Sequence, residues 1–213
     1  MAEIVTLLQN VAQKVRRCPE PTLVHAYREA ARQFCIESRW LRRTVLLGLA
    51  TGESSVEVTL SSADAGLEVV GVKGVRAYSQ TDPDSDWPLP PSDPTLWRLN
   101  QVEAQPQKYA YQPEALINIP APSDADYVLR VIAQVQPSDT TAELPDDLLA
   151  KWVRKLDVGA LAYLYDIPGQ PWTNERLARS SQTAFQAAIN NAKADEQRNY
   201  NTGTVMARIP RRF

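Results

Sequence analysis

Thr22 to Leu49 reads TLVHAYREAARQFCIESRWLRRTVLLGL, and its hydrophobic period changes at Trp40. Before that point Leu23, Tyr27, Ala30, Ala31 and Phe34 recur at helical spacing, which predicts a helix over about Thr22–Ser38 with one buried face. Arg28, Glu29, Arg32 and Glu37 fall off that stripe, and the pattern predicts them turned outward. From Arg43 the run Arg-Thr-Val-Leu-Leu-Gly-Leu predicts a strand instead. A helix that gives way to strands in this manner points to α+β architecture.

Working toward the N-terminus, Ile4, Leu7, Leu8, Val11, Ala12 and Val15 form a second helical stripe over Glu3–Val15. Pro19 ends it, because the residue before a proline is pushed out of the helical region, and Pro21 suits the first turn of the next helix. In the other direction, Val56–Leu60 predicts a strand that pairs with its predecessor around a Thr51-Gly52-Glu53 turn. The valine-rich Leu67–Tyr78 predicts one or two strands, with a hairpin turn at Gly71-Val-Lys-Gly74. Residues 81–94, TDPDSDWPLPPSDP, carry so many prolines that a loop is expected. Strand-like pieces resume at Thr95–Leu99, Lys108–Tyr111, Ala115–Ile119 and Tyr127–Val135, the last apolar on both faces through Val128 and Ile132.

Helical character returns after Leu144-Pro145-Asp146-Asp147, where proline and two acids suit a helix N-terminus. Leu148, Leu149, Trp152, Leu156, Ala160 and Leu164 continue that stripe to about Tyr165. Pro168–Pro171 is a turn, Thr173 the expected N-cap, and a long alanine-rich helix follows over about Glu175–Gln197. Its inward residues are predicted to be Leu177, Ala184, Phe185, Ala188, Ile189 and Ala192. The remainder, 198–213, has no acid, contains Arg198, Arg208, Arg211 and Arg212, and is barred from helix at Pro210. Four segments are thus expected: 1–40 helices, 41–140 a β-rich insertion, 141–197 helices and 198–213 a basic arm. The fold class is a helical bundle with an inserted β-sandwich or small β-barrel and an extended C-terminal arm.

A chain of 213 residues can bury a sizeable core without disulfides or metals. The net charge of -2 is close to neutral and does not argue for a nucleic-acid coat. No apolar run approaches the roughly 20 residues that cross a bilayer, and no signal peptide opens the chain, so synthesis in the host cytoplasm is expected. Chemistry is sparse. The single histidine, His25, has no metal-ligand partner at zinc spacing with Cys18 or Cys35, and no GxSxG elbow exists for a triad. Asp82, Asp84 and Asp86, then Asp124 and Asp126, lie where loops are expected, and Asp146 and Asp147 at a helix start, so solvated acids and capping account for them. The expectation is therefore a non-enzyme without cofactor or metal. Trp87 and Trp172 lie in proline-bounded turns, where each suits either a subunit or tail interface or the anchoring of its own loop.

Four blocks then carry a resemblance. They are Arg17-Cys-Pro-Glu-Pro-Thr-Leu-Val-His-Ala-Tyr-Arg-Glu-Ala-Ala-Arg-Gln-Phe-Cys closing at Trp40, and Leu144-Pro-Asp-Asp-Leu-Leu with Gly159-Ala-Leu-Ala. The third is Pro168-Gly-Gln-Pro-Trp-Thr-Asn with Phe185 and Ala192-Lys193-Ala194, and the fourth is Arg208-Ile-Pro-Arg-Arg-Phe213. In this order they resemble portal adaptors of tailed phages, nearest to the head-to-tail connectors, or tail tubular protein A class, of short-tailed phages. The resemblance implies a virion protein at the head-tail junction, with about twelve copies in a ring beneath the portal. It also implies a tail or nozzle protein attached below and genome passing through the channel without sequence-specific binding. The portal-gripping arm falls on Arg198, Arg208, Ile209, Pro210, Arg211, Arg212 and Phe213. The alternative is another neck, head-completion or tail-tube subunit, and no membrane partner is expected.

Overall fold

The computed structural model describes residues 1–80, 82–93, 105–112, 116–120 and 126–200. Strand β1 (Ala2–Glu3) leads into α1 (Ile4–Leu7) and α2 (Gln9–Lys14), so the first predicted helix is divided by one turn at Leu8. Ile4, Leu8, Val11 and Val15 are buried, as their stripe requires. Arg17, at φ 68°, turns the chain into α3 (Glu20–Ser38). That helix starts with Pro21 in its first turn and stops at Arg39, whose left-handed backbone lets its N–H reach the Cys35 carbonyl. Leu23, Tyr27, Ala30, Ala31 and Phe34 are its buried face.

Three of the four charged residues beside that face, Arg28, Arg32 and Glu37, are held by partners rather than turned freely to solvent as predicted. Arg28 donates to the carbonyls of Thr141 (2.9 Å) and Asp139 (2.7 Å). Arg32 pairs with Glu68 at 3.1 Å and with Asp139, while Glu37 accepts from Gln33 and Gln186. A helix amid other elements has little free surface, and its flanking ions become struts between elements.

The strands are β2 (Arg42–Leu49), β3 (Ser55–Glu57), β4 (Leu67–Ser79), β5 (Asp82–Leu89), β6 (Ala110–Gln112), β7 (Leu116–Asn118), β8 (Tyr127–Pro137) and β9 (Glu143–Leu144). One antiparallel sheet has the order β2-β8-β4-β5, a second β3-β7-β6, and β1 pairs with β9. The late strand β8 lies between β2 and β4, with Leu47↔Leu129 on one side and Val75↔Val131 on the other. The face of β8 with Tyr127, Leu129, Val131, Ala133 and Val135 is buried, while Val128 and Ile132 are half-buried on a mixed face that they share with Arg130 and Gln134. The expected hairpin between β2 and β3 does not form. Gly52, at φ 86°, turns the chain out of the first sheet, and β3 enters the second.

Two further expectations are corrected. Gly71 to Gly74 makes no hairpin turn: β4 continues through it, and its register on β8 shifts between Val69 and Gly71 and again between Val72 and Gly74. Bulges absorb the extra residues that a glycine-containing strand tolerates. Asp82–Leu89 is a strand rather than a loop, with Val75↔Leu89 and Ala77↔Trp87 in register. It is an edge strand, a position that tolerates a proline such as Pro88 because one side of the strand has no ladder to complete. The predicted strand at Thr95–Leu99 lies outside the described residues.

Helix α4 (Asp146–Asp166) buries every residue of its predicted stripe. Helix α5 runs over Glu175–Tyr200. Its N-cap is Asn174, not Thr173: the Leu177 N–H donates to Asn174 Oδ1 at 3.1 Å, while the Thr173 hydroxyl accepts from the Gln170 N–H and donates to the Ile167 carbonyl. Thr173 therefore closes the preceding turn. Phe185, Ala188, Ile189 and Ala192 point inward as predicted, with Ala178, but Leu177 and Ala184 are exposed. Phe34 joins the three long helices, with ring centroids 5.1 Å from Trp152 and 6.4 Å from Phe185.

Candidate functional site

The last turns of α5 are fastened to two other layers. Asp195 accepts from Lys151 of α4 at 2.6 Å. One residue on, Glu196 pairs with both Arg42 of β2 and Lys73 of β4. The Glu196 and Arg42 side chains are 13% and 4% exposed, so this carboxylate is largely withdrawn from water while it carries two cations. Burial first, and the Arg42 charge second, hold Lys73 below the ordinary lysine range. Lys73 is within reach because the second register shift of β4 falls beside it.

In the sequence, Glu196 of this cluster sits just before the basic segment, which begins at Arg198. Arg198 lies in α5 and is exposed. The boundary expected at Arg198 is therefore corrected, since helix continues through Tyr200. No glycine or proline falls between Glu175 and Gly203, so nothing in the sequence breaks the helix at Arg198. Arg208, Ile209, Pro210, Arg211, Arg212 and Phe213 lie outside the described residues.

Trp87 is half-buried on β5. Its indole N–H donates to the Pro106 carbonyl at 2.9 Å, and its ring meets Tyr127 edge-on at 5.8 Å. Trp172 is half-buried in the turn between α4 and α5, packed against the core. The two tryptophans belong to different elements and form no shared site with Arg198. No sequence pattern marked Glu196 beforehand, because its partners come from two strands more than 120 residues earlier.

Among the acids weighed for chemistry, Asp86, Asp126 and Asp147 have structural partners. Asp86 accepts from Arg76 and Arg130, each at 2.9 Å. Asp147 and Asp64 share Arg43, at 3.0 and 2.7 Å. Thr51 donates its backbone N–H (2.8 Å) and hydroxyl (2.9 Å) to Asp126 and so holds that carboxyl below the usual carboxylate range, which makes it a poor proton donor. Asp124 lies outside the described residues. His25 is exposed and edge-on to Tyr163 at 5.7 Å. Cys18 and Cys35 are unbridged, and burial pushes the Cys35 thiol far up. Among the described residues no group of His, Cys, Asp and Glu could hold a metal ion, and no helix is long and apolar enough to cross a membrane.

Three long helices and the antiparallel sheets share one core, and the last of those helices carries the Glu196 cluster. A family model described as SU10 adaptor protein matches residues 1–208, and the chain belongs to that family. It is accordingly a phage adaptor, a structural protein of the virion that associates with other virion proteins such as portal and tail. No curated protein matches the sequence.

Proposed function

We propose that this chain is a head-to-tail adaptor of the short-tailed type, without catalytic activity. About twelve copies close into a ring beneath the portal, through contacts that join unlike patches of successive copies. Genome passes through the ring during ejection, and a near-neutral chain lets it slide without the phosphate affinity that many cations produce. A tail or nozzle protein attaches below. The β-rich insertion closes as a small barrel or sandwich, and Trp87 and Trp172 lie near contacts with neighbouring copies or the tail.

In this reading Arg198, Arg208, Ile209, Pro210, Arg211, Arg212 and Phe213 form the arm that grips the portal. Guanidinium groups pair bidentately with carboxylates, and Phe213 supplies an apolar anchor. The observation that carries the proposal is a family match over residues 1–208 in a chain whose last helix is clamped at Glu196 just before an acid-free, arginine-bearing segment.

Co-sedimentation with portal rings tests it, comparing the full chain with one ending at Gln197. Binding that is lost on truncation supports the adaptor reading and its arm. Undiminished binding retains the adaptor and overturns the arm as the grip. If neither chain sediments with portal, a neck, head-completion or tail-tube subunit replaces the proposal.

A further inference from the structure

Far from the Glu196 cluster, α3, α4 and α5 leave an open groove of about 470 Å³. Its buried residues are Ala30, Gly159, Ala162 and Ala178, so the floor of the groove carries no side chain larger than a methyl. Glu29 and Asp166 line it, and neither makes an ion pair among the described residues. The one cation on the lining, Arg179, is 3.6 Å from Glu175 on its own helix. A small-residue trough with two uncompensated acids suits a short segment that is both basic and apolar.

We infer that this groove holds the chain's own C-terminal segment, Arg208–Phe213, in the free subunit. Charge is the first argument. The segment reads Arg-Ile-Pro-Arg-Arg-Phe, with cations for Glu29 and Asp166 and two apolar side chains for the alanine floor. Reach is the second. From Tyr200 back to Thr183, a groove residue, the axis of α5 covers about 26 Å at a rise of 1.5 Å per residue. Eight residues, 201–208, can span at most about 29 Å, so the tether is long enough for Arg208 to reach the Thr183 end of the groove. Tethering makes the contact intramolecular and raises the effective concentration of the segment to the order of millimolar, enough for a weak site. Occupied in this way, the segment must leave the groove before it can engage another protein, and the acids of that protein compete with Glu29 and Asp166.

Disulfide trapping in the full chain, with no portal present, tests the inference. Cys18→Ser removes the accessible thiol, while Cys35 is buried and stays silent. Ile209→Cys is combined with Thr183→Cys in the groove or, as control, with the exposed neighbour Ala184→Cys on the other side of the same turn. Under mild oxidation the within-chain 183–209 bridge is expected to form on the order of ten times faster than the 184–209 bridge. Adding Glu29→Gln and Asp166→Asn is expected to erase that difference, with circular dichroism confirming an intact fold. Equal rates at the two positions, or bridges formed only between chains, overturn the inference. So does a rate that ignores the two acids. The proposed portal contact is untouched by any of these results, and failure of portal binding leaves the trapping rates unchanged.

Discussion

A methyl group at Gly159 would lie 2.6–2.8 Å from three ring atoms of Phe185, closer than real contacts allow. Phe185 is 1% exposed and has nowhere to go. Alanine normally gains about 1 kcal/mol over glycine in a helix interior. Overpacking a tight contact costs typically 1–3 kcal/mol. The second effect wins, and Gly159→Ala is expected to lower stability by about 1 kcal/mol in urea denaturation. A more stable variant would mean that the α4–α5 contact is looser than described. Gly159 stands in one of the blocks that carry the resemblance to portal adaptors, yet nothing in the sequence revealed its task. That task is to let α5 approach, and it exists only once two helices separated by a turn have packed. Trp87 teaches the same lesson, since its partner Pro106 is known only from the fold.

At the scale of elements, α5 is a long helix whose end is held by ions rather than by an apolar seam. Glu196→Gln leaves two cations facing each other without their carboxylate. Amide exchange over Lys193–Arg198 is expected to rise about tenfold, with exchange in the middle of α5 unchanged. Uniform exchange along α5 would show that Glu196 is not what fastens its end. The helices were legible because each keeps one apolar stripe over several turns. The strand β5 was not, since its prolines argue against a ladder unless the strand is known to be at an edge. Edge position is a property of the sheet and not of the eight residues themselves.

For the molecule as a whole, one contiguous core runs from Ile4 and Val11 through Leu129 and Val131 to Phe185 and Ala192. Helices and sheets share this core, although the sequence alternates between helical and strand-like segments. Thermal unfolding followed by far-ultraviolet circular dichroism and by tryptophan fluorescence is therefore expected to give coincident single transitions. Two separated transitions would show that the β-rich portion unfolds as its own unit. The helical core around Phe34 and Trp152 is built from the beginning and the end of the chain, so the β-rich segment must be accommodated before those ends can meet.

By itself the sequence determined the three long helices and most of their buried stripes, the buried face of β8, and the blocks that carry the resemblance to portal adaptors. These are local signals, carried by periodicity within one element or by short runs of residues. Tertiary structure alone decided that β8 separates β2 from β4, that β5 is an edge strand, and that Arg28, Arg32 and Glu37 serve as struts. It also decided that Glu196 gathers Arg42 and Lys73. Strand order and ion partners depend on which distant segments meet, and the energy of each such contact depends on a neighbour that local pattern does not specify.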